Sequence, residues 1–162
     1  MSAVLDDPSL TSDPKAAPIF RPMKESDLSK VLGIETQGYP FPWTLGIFSD
    51  CLRLGYLCWV LERDNQLIAY AILGVAAEEC HILNLCVDPN EQGQGYGRQL
   101  LNKMLSIAKV QKAQTAFLEV RPTNVQAVSL YLSEGFNEVG VRKDYYPAEF
   151  GREDAIIYAK EL

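Results

Sequence analysis

The feature that most constrains this chain is the run Val87-Asp88-Pro89-Asn90-Glu91-Gln92-Gly93-Gln94-Gly95-Tyr96-Gly97-Arg98. The apolar stretch Ile82-Leu83-Asn84-Leu85-Cys86-Val87 before it predicts a buried strand. After it, Leu100, Leu101, Met104, Leu105 and Ala108 fall on one face of a predicted helix. The order is therefore strand, glycine-rich turn, helix. Main-chain N–H groups in such a turn, and at the helix start behind it, make an anion site suited to a pyrophosphate. Two common phosphate motifs are excluded. A P-loop needs Gly-Lys-Ser/Thr where Gly97 is followed by Arg98-Gln99, and the dinucleotide fingerprint needs a spacing that Gly93, Gly95 and Gly97 do not have.

Composition narrows the class. A chain of 162 residues predicts one domain, and 48% hydrophobic with 22% charged residues fits a soluble globular protein. The net charge of −6 argues against nucleic acid as a direct partner and suits a cationic substrate. Arg98 and Lys103 are then the local basic groups expected to hold an anionic ligand. Cys51, Cys58, Cys80 and Cys86 show no C-x-x-C spacing, and His81 is the sole histidine, so no metal site is expected. Free buried thiols, with no signal peptide and no membrane-spanning run, predict a cytoplasmic protein that engages no membrane.

Residues 1–18, with prolines at 8, 14 and 18, predict a mobile tail, and residues 19–162 the folded domain. A first strand is expected at Ile19–Pro22, then a helix from about Leu28 capped by Ser26 or Asp27. An aromatic loop, Tyr39 to Trp43, precedes a second helix capped by Thr44. Strands follow at Tyr56–Glu62 and Leu67–Val75, and Ala116–Val120 reads as a buried strand after the glycine-loop helix. Thr123-Asn124-Val125-Gln126 has the form of a capping box and opens a further helix. Two closing strands flank a loop written Tyr145-Tyr146-Pro147-Ala148-Glu149-Phe150-Gly151. The order predicts an α/β (α+β) fold, a mixed central sheet of about seven strands with helices on both faces.

Gln92, Gly95 and Gly97 fill the pattern Gln/Arg-x-x-Gly-x-Gly/Ala, and there the chain resembles the GNAT superfamily of acyl-CoA-dependent N-acyltransferases. The resemblance extends over about Ile19 to Leu162. Phe41-Pro42-Trp43, Leu118-Glu119-Val120-Arg121, Asn124, Leu130-Tyr131, Gly135-Phe136, Tyr145-Tyr146-Pro147 and Glu153-Asp154-Ala155 are similar to RimI-type enzymes, bacterial acetyltransferases of the N-terminal alanine of a small-subunit ribosomal protein. The resemblance implies the GNAT fold and acetyl-CoA as cosubstrate. It also implies that the main chain of Leu85, Cys86 and Val87 binds the thioester and pantetheine on a bulged, splayed strand. The loop Gln92, Gly93, Gln94, Gly95, Tyr96, Gly97 and Arg98 would hold the pyrophosphate.

Acetyl transfer to an amine needs a base for the amine and an acid for the leaving thiolate. Glu119 is the sole charge in Ala116–Val120, at the carboxyl end of its strand, and is the candidate base; a structural pair with Arg121 or another basic residue is the alternative. Tyr131, two helical turns after Asn124, is the candidate acid, with a core tyrosine as alternative. Asn124 would bond the pantetheine. Both catalytic roles agree with the RimI resemblance. Cys86, with no basic neighbour in sequence, reads as apolar filler and not as a nucleophile. Trp43, Tyr145 and Tyr146 are expected to wall the peptide side. Two other functions remain compatible with the sequence, a small-molecule amine N-acetyltransferase and a non-catalytic acyl-CoA-binding module.

Overall fold

The structure, a computed structural model, describes residues 16–162. Most of the segment predicted to be a mobile tail lies outside the described residues. Seven strands form one sheet: β1 (Ile19–Pro22), β2 (Leu57–Arg63), β3 (Gln66–Ala76), β4 (Glu79–Val87), β5 (Thr115–Val120), β6 (Asn137–Pro147) and β7 (Arg152–Glu161). Their order across it is β1-β2-β3-β4-β5-β7-β6. β4 and β5 pair in parallel and the other neighbours are antiparallel. The mixed seven-strand sheet expected from the sequence is thus the one found.

Helices α1 (Leu28–Gly38) and α2 (Leu45–Arg53) cover one face, and α3 (Tyr96–Val110) and α4 (Val125–Ser133) the other. The predicted stripe of α3 is buried throughout, with Leu100, Leu101, Met104 and Ala108 at 0% exposure. It packs on Ala69, Ala71, Leu73 and Ile82 of the sheet. The opposite core gathers Val31, Ile34, Phe48, Tyr70, Ile72 and Cys86. Asp64 and Asn65, with φ of 52° and 61°, close the β2–β3 hairpin in the left-handed conformation that short polar side chains tolerate.

Three local expectations are corrected. Thr44 does cap α2, accepting from the Ile47 amide at 3.3 Å. Asp27 does not cap α1. It accepts from the Lys24 amide at 2.7 Å and from Arg21 at 2.7 and 2.9 Å, closing a 3₁₀ turn over Glu25–Asp27. On α4 the cap is Asn124, which accepts from the Ala127 amide at 3.2 Å, because Thr123 gives its N–H and hydroxyl to Glu153. Tyr145, Tyr146 and Pro147 lie in β6 and not in a loop. The β6–β7 register shifts between Arg142 and Tyr146, so this bulge re-aims the two tyrosines.

A second bulge decides where the site forms. Ile72 faces Asn84 while Leu73 faces Ile82, which leaves Leu83 as the extra residue of β4. The bulge exchanges the faces of the strand. Ile82 belongs to the α3 core, whereas Cys86 belongs to the α1 core and Leu85 and Val87 pack against the α3 core. The parallel pairing with β5 runs from Glu79↔Thr115 to Ile82↔Leu118 and stops there. Beyond it β4 and β5 diverge, and Leu85–Val87 and Glu119–Val120 line the gap from opposite sides.

Candidate active site

Two cavities open into this gap, one of about 670 Å³ and one of about 530 Å³. They share Tyr39, Leu85, Asn124, Ala127 and Tyr131, so they meet at the splay.

The larger cavity lies over the start of α3. Gly95 stands before the first helical residue with φ of 84°, a conformation costly for any side chain with a Cβ. It has no side chain to cap the helix. Among the described residues the amides of Tyr96, Gly97 and Arg98 find no acceptor, so the helix start presents free N–H donors to the cavity. Of the loop's side chains, Gln92 donates to the Val87 carbonyl at 3.2 Å and Gln94 to Glu91. Arg98 pairs with Glu134 just beyond α4. Tyr96 turns its ring into the α3 core and takes a hydrogen bond from Arg63, so only its main chain faces the cavity. Lys103, expected to hold an anion, instead sits 5.9 Å over the ring of Trp59. The positive character of this cavity therefore comes chiefly from the amides, with the charge of Arg98 shared with Glu134. Such a donor set fits a pyrophosphate.

The joint holds Tyr131 and Asn124. Tyr131 is buried in the α3 core against Phe136. Its hydroxyl has no hydrogen-bond partner among the described residues. No buried side-chain oxygen or nitrogen there lacks a partner, so this hydroxyl must reach the open joint. Burial, then Tyr146 and Cys86, pushes its phenol well above the ordinary 10, and it keeps its proton at neutral pH. Asn124 spends its carbonyl oxygen on the helix cap and lines both cavities. The Leu85 carbonyl accepts from the Tyr39 hydroxyl, just after α1, at 2.7 Å. The Cys86 thiol lies on the α1 side, where an added Cβ at Gly38 would come within 2.7 Å of its sulfur. Burial and Glu35 push this thiol up to about 12, which removes it as a nucleophile at neutral pH.

The smaller cavity carries Glu119. Leu118 and Val120 point into the α3 core, which turns Glu119 to the other face, at the lip of the splay. Its Oε1 lies 2.7 Å from Arg142 Nε. The pair anticipated with Arg121 or another basic residue is made with Arg142. Arg121 goes to Glu153 at 3.2 Å and to the Pro147 carbonyl at 2.7 Å. Tyr145 and Tyr146 pack edge-to-face at 4.9 Å, and burial pushes the Tyr146 phenol up to about 12. Trp43 lines the same cavity and packs, tilted, against Phe48 with ring centroids 5.3 Å apart. Glu119, Trp43, Tyr145, Tyr146 and Tyr131, far apart in the chain, are brought together here.

Sequence reasoning missed Glu35. It is 2% exposed, an acidic side chain inside the α1 core with no cationic partner among the described residues. Oε1 accepts the Trp43 amide at 2.9 Å, and Oε2 accepts Asn84 at 3.0 Å together with the Tyr70 hydroxyl. It ties the aromatic loop and the bulged strand to the centre of the sheet. Its one visible sign is a charge on the apolar face of α1, beside Ile34 and Val31.

A splayed parallel pair, with one cavity over the start of α3 and a second, lined by Glu119, that meets it at the splay, sits in the fold of an N-acetyltransferase. Residues 24–136 match the family model "Acetyltransferase (GNAT) family", and the chain belongs to that family. More particularly, it is 39% identical over 137 residues to the [ribosomal protein bS18]-alanine N-acetyltransferase of Escherichia coli (strain K12), an alignment covering 85% of this chain and 93% of that protein. The crystal structure of the ribosomal-protein-S18-alanine N-acetyltransferase from Escherichia coli superposes with a TM-score of 0.85 at 36% identity, covering 90% of this chain and 94% of that one. A more distant structure, yncA from Salmonella typhimurium with its cofactor acetyl-CoA, shares the fold at 20% identity with a TM-score of 0.74, over 91% of this chain and 95% of that one. Acetyl-CoA is the acyl donor of the family. Among the described residues no helix is long and apolar enough to cross a membrane.

Proposed function

We propose that this protein transfers the acetyl group of acetyl-CoA to the α-amine of a protein N-terminus, the acceptor being the alanine terminus of a small-subunit ribosomal protein. The observation that carries the reading is the meeting of two cavities at the β4–β5 gap, with Glu119 on the acceptor side and the Tyr131 hydroxyl at the joint. The alanine acceptor is supported by the activity named for the Escherichia coli relative. A ribosomal acceptor sets the reaction in the cytoplasm, where the four free, buried thiols would stay reduced.

The free amides of Tyr96, Gly97 and Arg98, with Gly93, Gly95, Gln92, Gln94 and Arg98 around them, would hold the pyrophosphate. The main chain of Leu85, Cys86 and Val87 and the amide of Asn124 would align the pantetheine. Glu119, directly or through water, takes the proton of the amine as its nitrogen attacks the thioester carbonyl. Tyr131 gives its proton to the sulfur as the carbon–sulfur bond breaks. The products are the acetylated amine and the free thiol of CoA, with no covalent enzyme intermediate.

Reference acidities favour an α-amine. At ~7.7–8.0 it is neutral in roughly a fifth to a third of molecules near pH 7.4, whereas a lysine at ~10.4 is neutral in about one per thousand. One carboxylate suffices for the first and leaves the second short by about 3.5 kcal/mol. Mass spectrometry of an Ala-initiated peptide containing an internal lysine, after incubation with acetyl-CoA, tests the reading. Acetyl on the terminal amine alone is expected. Acetyl on the lysine, or no peptide reaction beside rapid acetylation of a polyamine, would overturn it in favour of a small-amine enzyme.

A further inference from the structure

The acceptor cavity has two walls from distant parts of the chain. One is the aromatic loop carrying Phe41 and Trp43, anchored from below by Glu35. The other is the end of β6, carrying Tyr145 and Tyr146, on the strand pair that closes the sheet edge. The two walls are far apart in sequence, and a peptide entering the cavity would pass between them.

Arg121, at the exit of β5, touches both. Its guanidinium carbon lies 5.3 Å from the centroid of Phe41 and 4.4 Å from that of Tyr146. Nη1 donates to the Pro147 carbonyl at 2.7 Å and to Glu153 at 3.2 Å. Glu153 is fixed in turn by the Thr123 amide at 3.0 Å and hydroxyl at 2.7 Å. Although burial opposes it, these donors hold the Glu153 carboxyl below its ordinary value, so Glu153 stays ionised beside Arg121. The arginine's charge is thus matched within the protein, and its contacts are spent on rings and on a carbonyl. That is the arrangement of a clasp and not of a receptor for an acidic substrate. A planar guanidinium suits it, because it can lie over aromatic rings and donate in its own plane, as a lysine cannot.

We infer that Arg121 is a specificity-determining residue: by joining Phe41 to Tyr146 it fixes the distance between the walls, and so limits the first residue of the acceptor to a small side chain. The inference rests on the N-terminal reading above. Opening the clasp would let the walls part, which affects how peptides of different first residue bind and leaves the acetyl-CoA cavity as it was.

The test compares the parent, Arg121→Lys, Phe41→Ala and the double variant on otherwise identical peptides beginning with Ala, Ser or Leu. Acetyl-CoA affinity is measured by calorimetry and folding by thermal unfolding. The Ala-over-Leu ratio of kcat/KM is expected to fall at least about fivefold in each single variant, through KM. The double variant should fall no further, and acetyl-CoA affinity should stay within about twofold. A ratio unchanged in Arg121→Lys, or additive losses in the double variant, would overturn the clasp while leaving the function intact. If Arg121→Lys does not fold, the half-exposed Phe41→Ala decides alone by the same ratio. A parent that acetylates none of the peptides would remove the function reading, and the clasp with it.

Discussion

Arg142 Nε stands 2.7 Å from Glu119 Oε1, so this carboxylate at the lip of the β4–β5 gap is held by an arginine from the neighbouring hairpin. The pair is lopsided, with the arginine side chain 57% exposed and the glutamate 25%. An ion pair this open to water contributes little to stability. What it does is orient the carboxylate from the solvent side while the other side faces the cavity.

Glu119→Gln should therefore lower kcat/KM by roughly 10²–10⁴, the range for loss of a general base, with acetyl-CoA binding kept. Raising the pH should restore part of the rate, because more of the amine is then neutral. Arg142→Ala should cost less than about tenfold, since it disturbs the orientation of Glu119 and leaves the carboxylate. Tyr131→Phe should slow turnover without alkaline rescue, as its missing proton is needed at the sulfur. Steady-state kinetics across pH 6 to about 9.5 separate the three variants. Parental rates in Glu119→Gln at pH 7 would refute the base role.

Gly95→Val should abolish tight binding of acetyl-CoA. A Cβ built at Gly95 meets no protein atom within 4 Å, so the side chain would occupy the cavity above the helix start. The left-handed φ adds a backbone cost of about 1–2 kcal/mol for a non-glycine residue. Gly95→Asn tolerates that φ better and serves as the control. Calorimetry should show at least a tenfold weaker dissociation constant for Gly95→Val, and equal affinity in parent and variant would exclude the site.

Glu35→Leu leaves the Trp43 amide, the Tyr70 hydroxyl and the Asn84 amide without their acceptor inside the α1 core. With each orphaned donor costing about 1–3 kcal/mol, a loss of at least about 3 kcal/mol in urea unfolding is expected. Adding Tyr70→Phe should recover about 1 kcal/mol, because one orphan is then removed with its partner. A Glu35→Leu protein as stable as the parent would show that the network contributes nothing.

Acid stability should depend on Asp27. The hydrogen bonds from Arg21, against the opposing effect of burial, hold its carboxyl below the ordinary 3.8. A carboxyl depressed in the folded state adds stability in full above its unfolded value. That contribution is lost as pH falls through the folded value. Asp27→Asn should accordingly be less stable at pH 7, and the difference from the parent should shrink as pH drops below about 4. Urea midpoints at pH 7 and pH 3 would show it; a difference that grows on acidification would contradict the sign.

The elements of this fold were legible in the chain because their signals are local. The Leu100-Leu101-Met104-Leu105-Ala108 stripe, the Thr44 cap and the Gln92–Gly97 spacing each act within one or two turns of backbone, and periodicity or conformational preference alone decides them. The family came instead from resemblance, of the Gln92–Gly97 motif and of separated motifs such as Leu118-Glu119-Val120-Arg121 and Leu130-Tyr131, which also favoured Glu119 and Tyr131 as candidates. Competition between equivalent partners was not legible. Thr123 and Asn124 both suit a helix cap, and Glu153, thirty residues on, takes the first and leaves the second. Arg121 and Arg142 both suit Glu119, and the β6 bulge gives it Arg142, while Glu153 and the Phe41 and Tyr146 rings hold Arg121. The same limit hid Glu35, because a charge on an apolar helix face is a defect until three donors from other segments meet it. Sequence by itself determined the elements and the chemistry at hand; tertiary structure decided which charge meets which, since that choice depends on register and bulges set by contacts across the sheet.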